Sequence, residues 1–246
     1  MYFELPGTNV RIMGSMHMLP PNAGLPTWAD RAFDWCEELM FEGDPMAILP
    51  HLRSTAGIVL NDHLSVSTWG KLKNVWRESE HIPPLAQVQP WAAFLLSSSF
   101  ASPAAPGVEP IFLKRAAEQS KPVQFFETGA DLNAALEKAP LEDVIGAIES
   151  LADDLTAPQR NVEEMYRAWI AGDLPSLYAV AAKSPAFAFA GMRKAVLQNR
   201  NEAWVPILQN RINTSKRVLI AIGALHLYGP GNLLELLGHE FNAVAC

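Results

Sequence analysis

Two stretches near opposite ends of the 246-residue chain carry one pattern. Ile12-Met-Gly-Ser-Met-His-Met18 and Ala221-Ile-Gly-Ala-Leu-His-Leu227 both read apolar, glycine, small, apolar, histidine, apolar. A single Gly-x-x-His is common by chance, but two with matching flanks form an internal repeat. Side chains alternate along a strand, so His17 shares a face with Ser15 and Met13, and His226 with Ala224 and Ile222, if both stretches stay extended. Glu42 and Glu127 close two further apolar segments. Ligands of open α/β sheets bind in the crevice beyond the strands' carboxyl ends, so parallel, adjacent strands would gather two imidazoles and two carboxylates there. That set suits a divalent transition metal with a position left open for water. It also works without metal, a histidine serving as general base and a carboxylate orienting it. Spacing leaves both open.

The positioning elements are read from periodicity. Strands are predicted over 8–15, 39–42, 121–127, 217–223 and 242–245, where apolar and β-branched runs are bounded by Gly and Pro. A helix is predicted to start at Thr27, with Trp28, Ala32, Trp35 and Leu39 at helical spacing, making a βαβ unit with the first two strands. Further helices are predicted over 67–79, 90–100, 108–119, 130–138, 141–155, 159–171, 174–182 and 233–238, with one long helix over 187–213. The fold class expected is α/β: one helix-rich domain over 1–246, its central sheet mostly parallel or mixed and built from two related βαβ-type halves.

Bulk properties narrow the function. The 49% hydrophobic and 18% charged composition is that of a folded globular chain. A net charge of −7 repels phosphate backbones and anionic lipid surfaces, so nucleic acid and membrane are not expected partners. No signal-type start and no apolar run of about 20 residues is found, which predicts a cytoplasmic protein. Cys36 and Cys246 offer neither a disulfide framework nor a metal pair. His51, His63, His81 and His239 sit in polar or proline-flanked contexts and are expected at the surface. No Gly-x-Ser-x-Gly elbow is present, so Ser15 is a poor nucleophile candidate.

The chain resembles the TraB/GumN family along nearly its whole length. The resemblance rests on Gly14-Ser-Met-His17 with Leu19-Pro20, Phe41-Glu42-Gly-Asp44, Pro90-Trp91 and Gly107-Val-Glu109. It continues through Lys121-Pro-Val with Glu127-Thr128, Arg200-Asn201 with Trp204, and Gly223-Ala-Leu-His-Leu-Tyr-Gly-Pro-Gly-Asn-Leu-Leu234. It implies a fold like that of the erythromycin-esterase and ChaN-like proteins. It also implies the activity of the Tiki-like members, described as divalent-metal-dependent peptidases. Carried over, His17, His226 and Glu42 are the metal or catalytic set, for Mn, Co or Zn. Glu127 and Arg200 support them, Arg200 being suited to a developing oxyanion or a substrate carboxylate. The implied partner is a peptide or small-molecule substrate. Besides this hydrolase, a metal-independent esterase-like hydrolase and a non-catalytic peptide- or small-molecule-binding protein are the alternatives. Three positions depart from the family pattern. Gln89 stands where a basic residue is usual and Asn199 where Glu is usual, suggesting an ion pair exchanged for an amide pair; Gly43 replaces an apolar residue.

Overall fold

The structure, a computed structural model, describes residues 1–55 and 57–244. The expected end of the last strand at Ala245, and Cys246, lie outside the described residues. The molecule is α/β, as expected, with a six-stranded mixed sheet in the order β6-β4-β7-β2-β1-β8. Its strands are β1 (Tyr2–Glu4), β2 (Val10–Ser15), β4 (Glu38–Phe41), β6 (Val123–Phe125), β7 (Val218–Gly223) and β8 (Asn242–Ala243). A separate ribbon pairs β3 (Met18–Leu19) with β5 (Ala105–Pro106).

β6, β4, β7 and β2 are mutually parallel, whereas β1 runs antiparallel to β2 and β8 antiparallel to β1. All six residues of β7 are buried, as a continuous apolar run predicts for a parallel strand covered on both faces. The βαβ expectation needs one correction. β2, helix α1 (Thr27–Trp35) and β4 follow one another in sequence, but β7 lies between the two strands. The first and second halves of the chain thus interleave in the sheet, and the two Gly-x-x-His strands become hydrogen-bonded neighbours, with Ser15 in register with Gly223.

The helices that follow are α2 (Val66–Val75), α3 (Pro90–Phe100), α4 (Val108–Glu118), α5 (Gly129–Leu136), α6 (Leu141–Asp153), α7 (Ala157–Ile170) and α8 (Leu174–Ala181). They continue through α9 (Pro185–Ala188), α10 (Ala190–Arg193), α11 (Asn199–Arg211) and α12 (Leu233–Leu237). One apolar core surrounds the sheet, with Phe33, Phe41, Trp169, Trp204 and the β7 side chains at its centre. A second core, around Leu72, Trp91, Phe94, Ile148 and Leu151, joins α2, α3 and α6 away from the sheet.

The single helix expected over 187–213 is broken. Phe189 is extended, and the backbone N–H of Gly191 donates to Asp143 of α6 at 2.7 Å, so α10 docks there as a new start. A Cβ at residue 191 would come within 2.3 Å of the Pro140 ring, so only glycine permits this approach. Between α10 and α11, Lys194–Gln198 form a π-helical turn. No helix among the described residues is long and apolar enough to cross a membrane.

Candidate functional site

The site lies beyond the carboxyl ends of β2, β7, β4 and β6, where the sequence pattern placed it. The two Gly-x-x-His motifs do not, however, both stay extended. After β2 the chain runs on through Met16 and His17 to β3, leaving 59% of the His17 side chain exposed. After β7 it tightens into a 3-10 turn, Ala224–Leu227, which folds His226 inward to 2% exposure.

Each motif glycine is required by the other motif. A Cβ at Gly14 would lie 3.0 Å from the Ala224 Cβ, so its absence lets the second motif's turn pack against β2. A Cβ at Gly223 would lie 2.9 Å from His17 Nε2 and 3.0 Å from Glu42 Oε1, so its absence opens the space where those groups meet. The indole of Trp169 on α7 donates to the Gly14 carbonyl at 2.8 Å and pins this end of β2.

Both histidines converge on one oxygen. Glu42 Oε1 is 3.6 Å from His17 Nε2 and 3.7 Å from His226 Nε2, and it accepts the Gly223 N–H. The rings are held from behind. His17 Nδ1 is 3.1 Å from Glu109 Oε1, and the buried Ser15 hydroxyl donates to the same oxygen, so Ser15 is engaged as a donor rather than poised as a nucleophile. His226 Nδ1 is 2.6 Å from Asn201 Oδ1, while the Asn201 amide N–H donates to the Gly231 carbonyl at 2.9 Å. That second bond fixes which end of the amide is oxygen. Nδ1 of each imidazole therefore carries a proton toward an acceptor, and each Nε2 faces Glu42.

Arg200 closes the site. Its Nη2 donates to Glu42 Oε2 at 2.6 Å and to Glu127 Oε1, its Nε donates to both Glu127 oxygens, and its Nη1 donates to the Val196 carbonyl and lies 3.3 Å from His226 Nε2. A guanidinium has five N–H groups, and these contacts engage all of them. Arg200 thus has no donor free for a substrate oxyanion or carboxylate; it orients Glu42. The π turn just before it carries the Val196 carbonyl that receives Nη1, a local distortion of a kind often found at functional sites. Trp204, one turn on, donates to Glu127 Oε2 at 3.3 Å, and its ring packs 4.6 Å from that of His226.

The electrostatics follow from this packing. Burial pushes the Glu42 carboxyl up, but the charges of Arg200, His17 and His226 and the Gly223 N–H outweigh it and hold Glu42 well below the usual carboxylate range. Glu127 is raised, burial prevailing over its bonds to Arg200. Desolvation works to lower His17, yet Glu109 and Glu42 together lift it to about 9. Desolvation lowers His226 to about 3, so this ring is neutral.

Of the residues expected from sequence, His17, His226, Glu42, Glu127 and Arg200 all meet here. Glu109, Asn201 and Trp204 lie in stretches that resemble the family, but their sequence patterns assign them no role. Gly107 was the available signal: a Cβ there would fall 2.2 Å from the Met16 carbonyl, so α4 starts directly on the first motif and brings Glu109 to His17. Gly43 is likewise local packing, its Cβ position being 3.3 Å from the Glu127 carbonyl. The amide pair expected of Gln89 and Asn199 is absent among the described residues; Gln89 donates instead to Glu137 at 2.9 Å. His63, His81 and His239 are exposed and His51 is half-buried, and Cys36 is free and buried. Among the described residues, no group of three or more His, Cys, Asp or Glu side chains is already drawn together as a metal cage.

The sequence matches the TraB/PrgY/gumN family over residues 3–240. The chain belongs to this family. It is 28% identical to the uncharacterized protein YbaP of Escherichia coli (strain K12), in an alignment covering 95% of this chain and 89% of that protein, and equally to YbaP of Shigella flexneri. No solved structure matches it significantly. Both Gly-x-x-His motifs, Glu42 and Arg200 fall within the matched span, so the site described above belongs to the family region of the chain.

Proposed function

We propose that this TraB-family chain is a divalent-metal-dependent hydrolase of the peptidase type, with His17, His226 and Glu42 as the metal-binding donors. One observation carries the reading. Two imidazoles, each with its Nδ1 proton committed to an acceptor behind it, turn their Nε2 atoms toward the same oxygen of a buried carboxylate. This is the outer-shell arrangement of metal-ligating histidines. The two carboxylate–imidazole spacings, 3.6 and 3.7 Å, are close to the roughly 3.4 Å between donors about 2.1 Å from a tetrahedral ion. One adjustment is required: Arg200 Nη1 has to withdraw from His226 Nε2. A bound divalent ion would supply Lewis acidity and water activation near neutral pH.

The protein's own groups have separate tasks. Arg200 and the Gly223 N–H fix Glu42, Arg200 holding Oε2 so that Oε1 is the oxygen presented to both imidazoles. Glu109 and Asn201 fix the imidazole tautomers, and Glu127 with Trp204 fixes Arg200 in turn. The purified protein is expected to bind about one equivalent of Mn, Co or Zn and to lose it in His17→Ala or His226→Ala. Unchanged metal content in both variants refutes the proposal.

A second reading is favoured by the Arg200 contacts. The guanidinium already occupies His226 Nε2 and neutralises Glu42, while His17, backed by Glu109, presents Nε2 as a proton-transfer group. On this metal-free reading, hydrolysis persists in chelator and still requires His17.

A further inference from the structure

Beside the reactive groups lies a cavity of about 190 Å³, bounded by the end of β2, α7, α8, the π turn and the 3-10 turn after β7. Its walls are apolar, formed by side chains that include Met16, Met18, Met165, Leu177, Val196 and Leu225. Its charged or titratable lining is restricted to His17, His226 and Arg200, the groups of the site itself. Four of the five Arg200 N–H groups stay on Glu42, Glu127 and the Val196 carbonyl even when Nη1 leaves His226, and His226 Nδ1 is held by Asn201. His17 turns its two ring nitrogens to Glu42 and Glu109, so an acidic or basic side chain entering this space would lose its hydration with at most one Arg200 N–H to meet it. An apolar one replaces water against matching walls. An apolar cavity of roughly 150 Å³ is enough to hold benzene, so this one has room for a leucine, methionine or phenylalanine side chain. Three thioether side chains in its wall can repack around such groups, because methionine is unbranched and soft.

We infer that the substrate is a peptide-type molecule carrying a leucine- to phenylalanine-sized apolar side chain next to the bond placed at Glu42, with this cavity as its specificity pocket. The inference rests on the reading of His17, His226 and Glu42 as the reactive centre, and its test separates the two. The 246-residue chain with ¹³C-methyl methionine is titrated with the N-acetyl amides of leucine, phenylalanine, aspartate and lysine, following the methyl signals of Met16, Met18 and Met165 by NMR. The leucine and phenylalanine amides are expected to shift these signals saturably, and the aspartate and lysine amides to bind at least about tenfold more weakly.

Leu177→Trp fills the cavity and is expected to weaken leucine-amide binding at least about tenfold while leaving metal content unchanged. Val196→Phe does the same from a half-buried wall position, should the Leu177 variant fail to fold. Equal binding of the charged amides, no response to any amide, or full binding to a folded pocket-filled variant overturns the inference. Saturable binding of the leucine amide by a protein that takes up no metal and hydrolyses nothing keeps the pocket and removes the hydrolase.

Discussion

Replacing Arg200 by methionine tests the central ion cluster most severely. The Arg200, Glu42 and Glu127 side chains are 8%, 10% and 7% exposed, so removing the cation strands two carboxylates in the interior. Breaking a buried pair from one side costs about 3–5 kcal/mol, most of it the penalty on the charges left behind. Relief comes only by protonation, which places the folded pKa of at least one carboxyl above its unfolded value near 4.3. A raised carboxyl adds stability that is present below the unfolded pKa and lost as pH rises through the folded one. Wild-type Glu42, whose folded pKa is depressed, adds stability that is present above the unfolded pKa and lost as pH falls through the folded one. The first effect makes the deficit of Arg200→Met larger at pH 7.5 than at pH 5, and the second shrinks it further only below about pH 4.3. Urea unfolding of chelator-treated protein measures it. At pH 7.5 the midpoint is expected to drop by roughly 1–2 M, for a slope of about 2–3 kcal/mol/M, and by clearly less at pH 5. Arg200→Lys should recover part of the loss. A deficit below about 1 kcal/mol, well short of the cost of a broken buried pair, or one equal at the two pH values, refutes the reasoning.

Three further outcomes are expected. Asn201→Ala removes the acceptor that holds His226 Nδ1–H, so metal affinity should fall about 10–100-fold in calorimetric titration, with recovery in Asn201→Asp; undiminished affinity in the alanine variant would reject the tautomer role. Gly223→Ala puts a methyl against His17 and Glu42, costing about 1–3 kcal/mol by overpacking, which a lowered melting temperature and lost metal binding would register; an unperturbed variant would show the site to be looser than described. In metal-free protein, the raised pKa of His17 contributes stability that is complete below about 6.5 and lost between there and about 9. Wild type should therefore lose stability over that window relative to His17→Gln, and parallel pH profiles would contradict the Glu109–His17–Glu42 arrangement.

The strand ends were legible because they carry their own signals. β7 is a continuous apolar run, and Glu42, Glu127 and both histidines each end or follow such a run. What sequence patterns left out depends on contacts between distant segments. The Ala224–Leu227 turn breaks the strand alternation assumed for His226, and Gly14 on the neighbouring strand leaves the room it occupies. The π turn at Lys194–Gln198 has the composition of an ordinary helix, and its distortion shows only where the Val196 carbonyl meets Arg200. Glu109 and Asn201 sit on helices predicted for other reasons, and their tasks follow from what α4 and α11 are packed against. β1 and the β3–β5 ribbon span only three and two residues per strand, too few for a period of two to stand out.

The proposed chemistry requires one shared site for His17, His226 and Glu42. Crystals grown with cobalt or zinc and measured at the metal's absorption edge address it directly. The prediction is an anomalous peak about 2.0–2.3 Å from His17 Nε2, His226 Nε2 and Glu42 Oε1 together, with Arg200 Nη1 moved off His226. A peak ligated elsewhere, or none there at saturating metal with Arg200 still in contact with His226, would contradict the account.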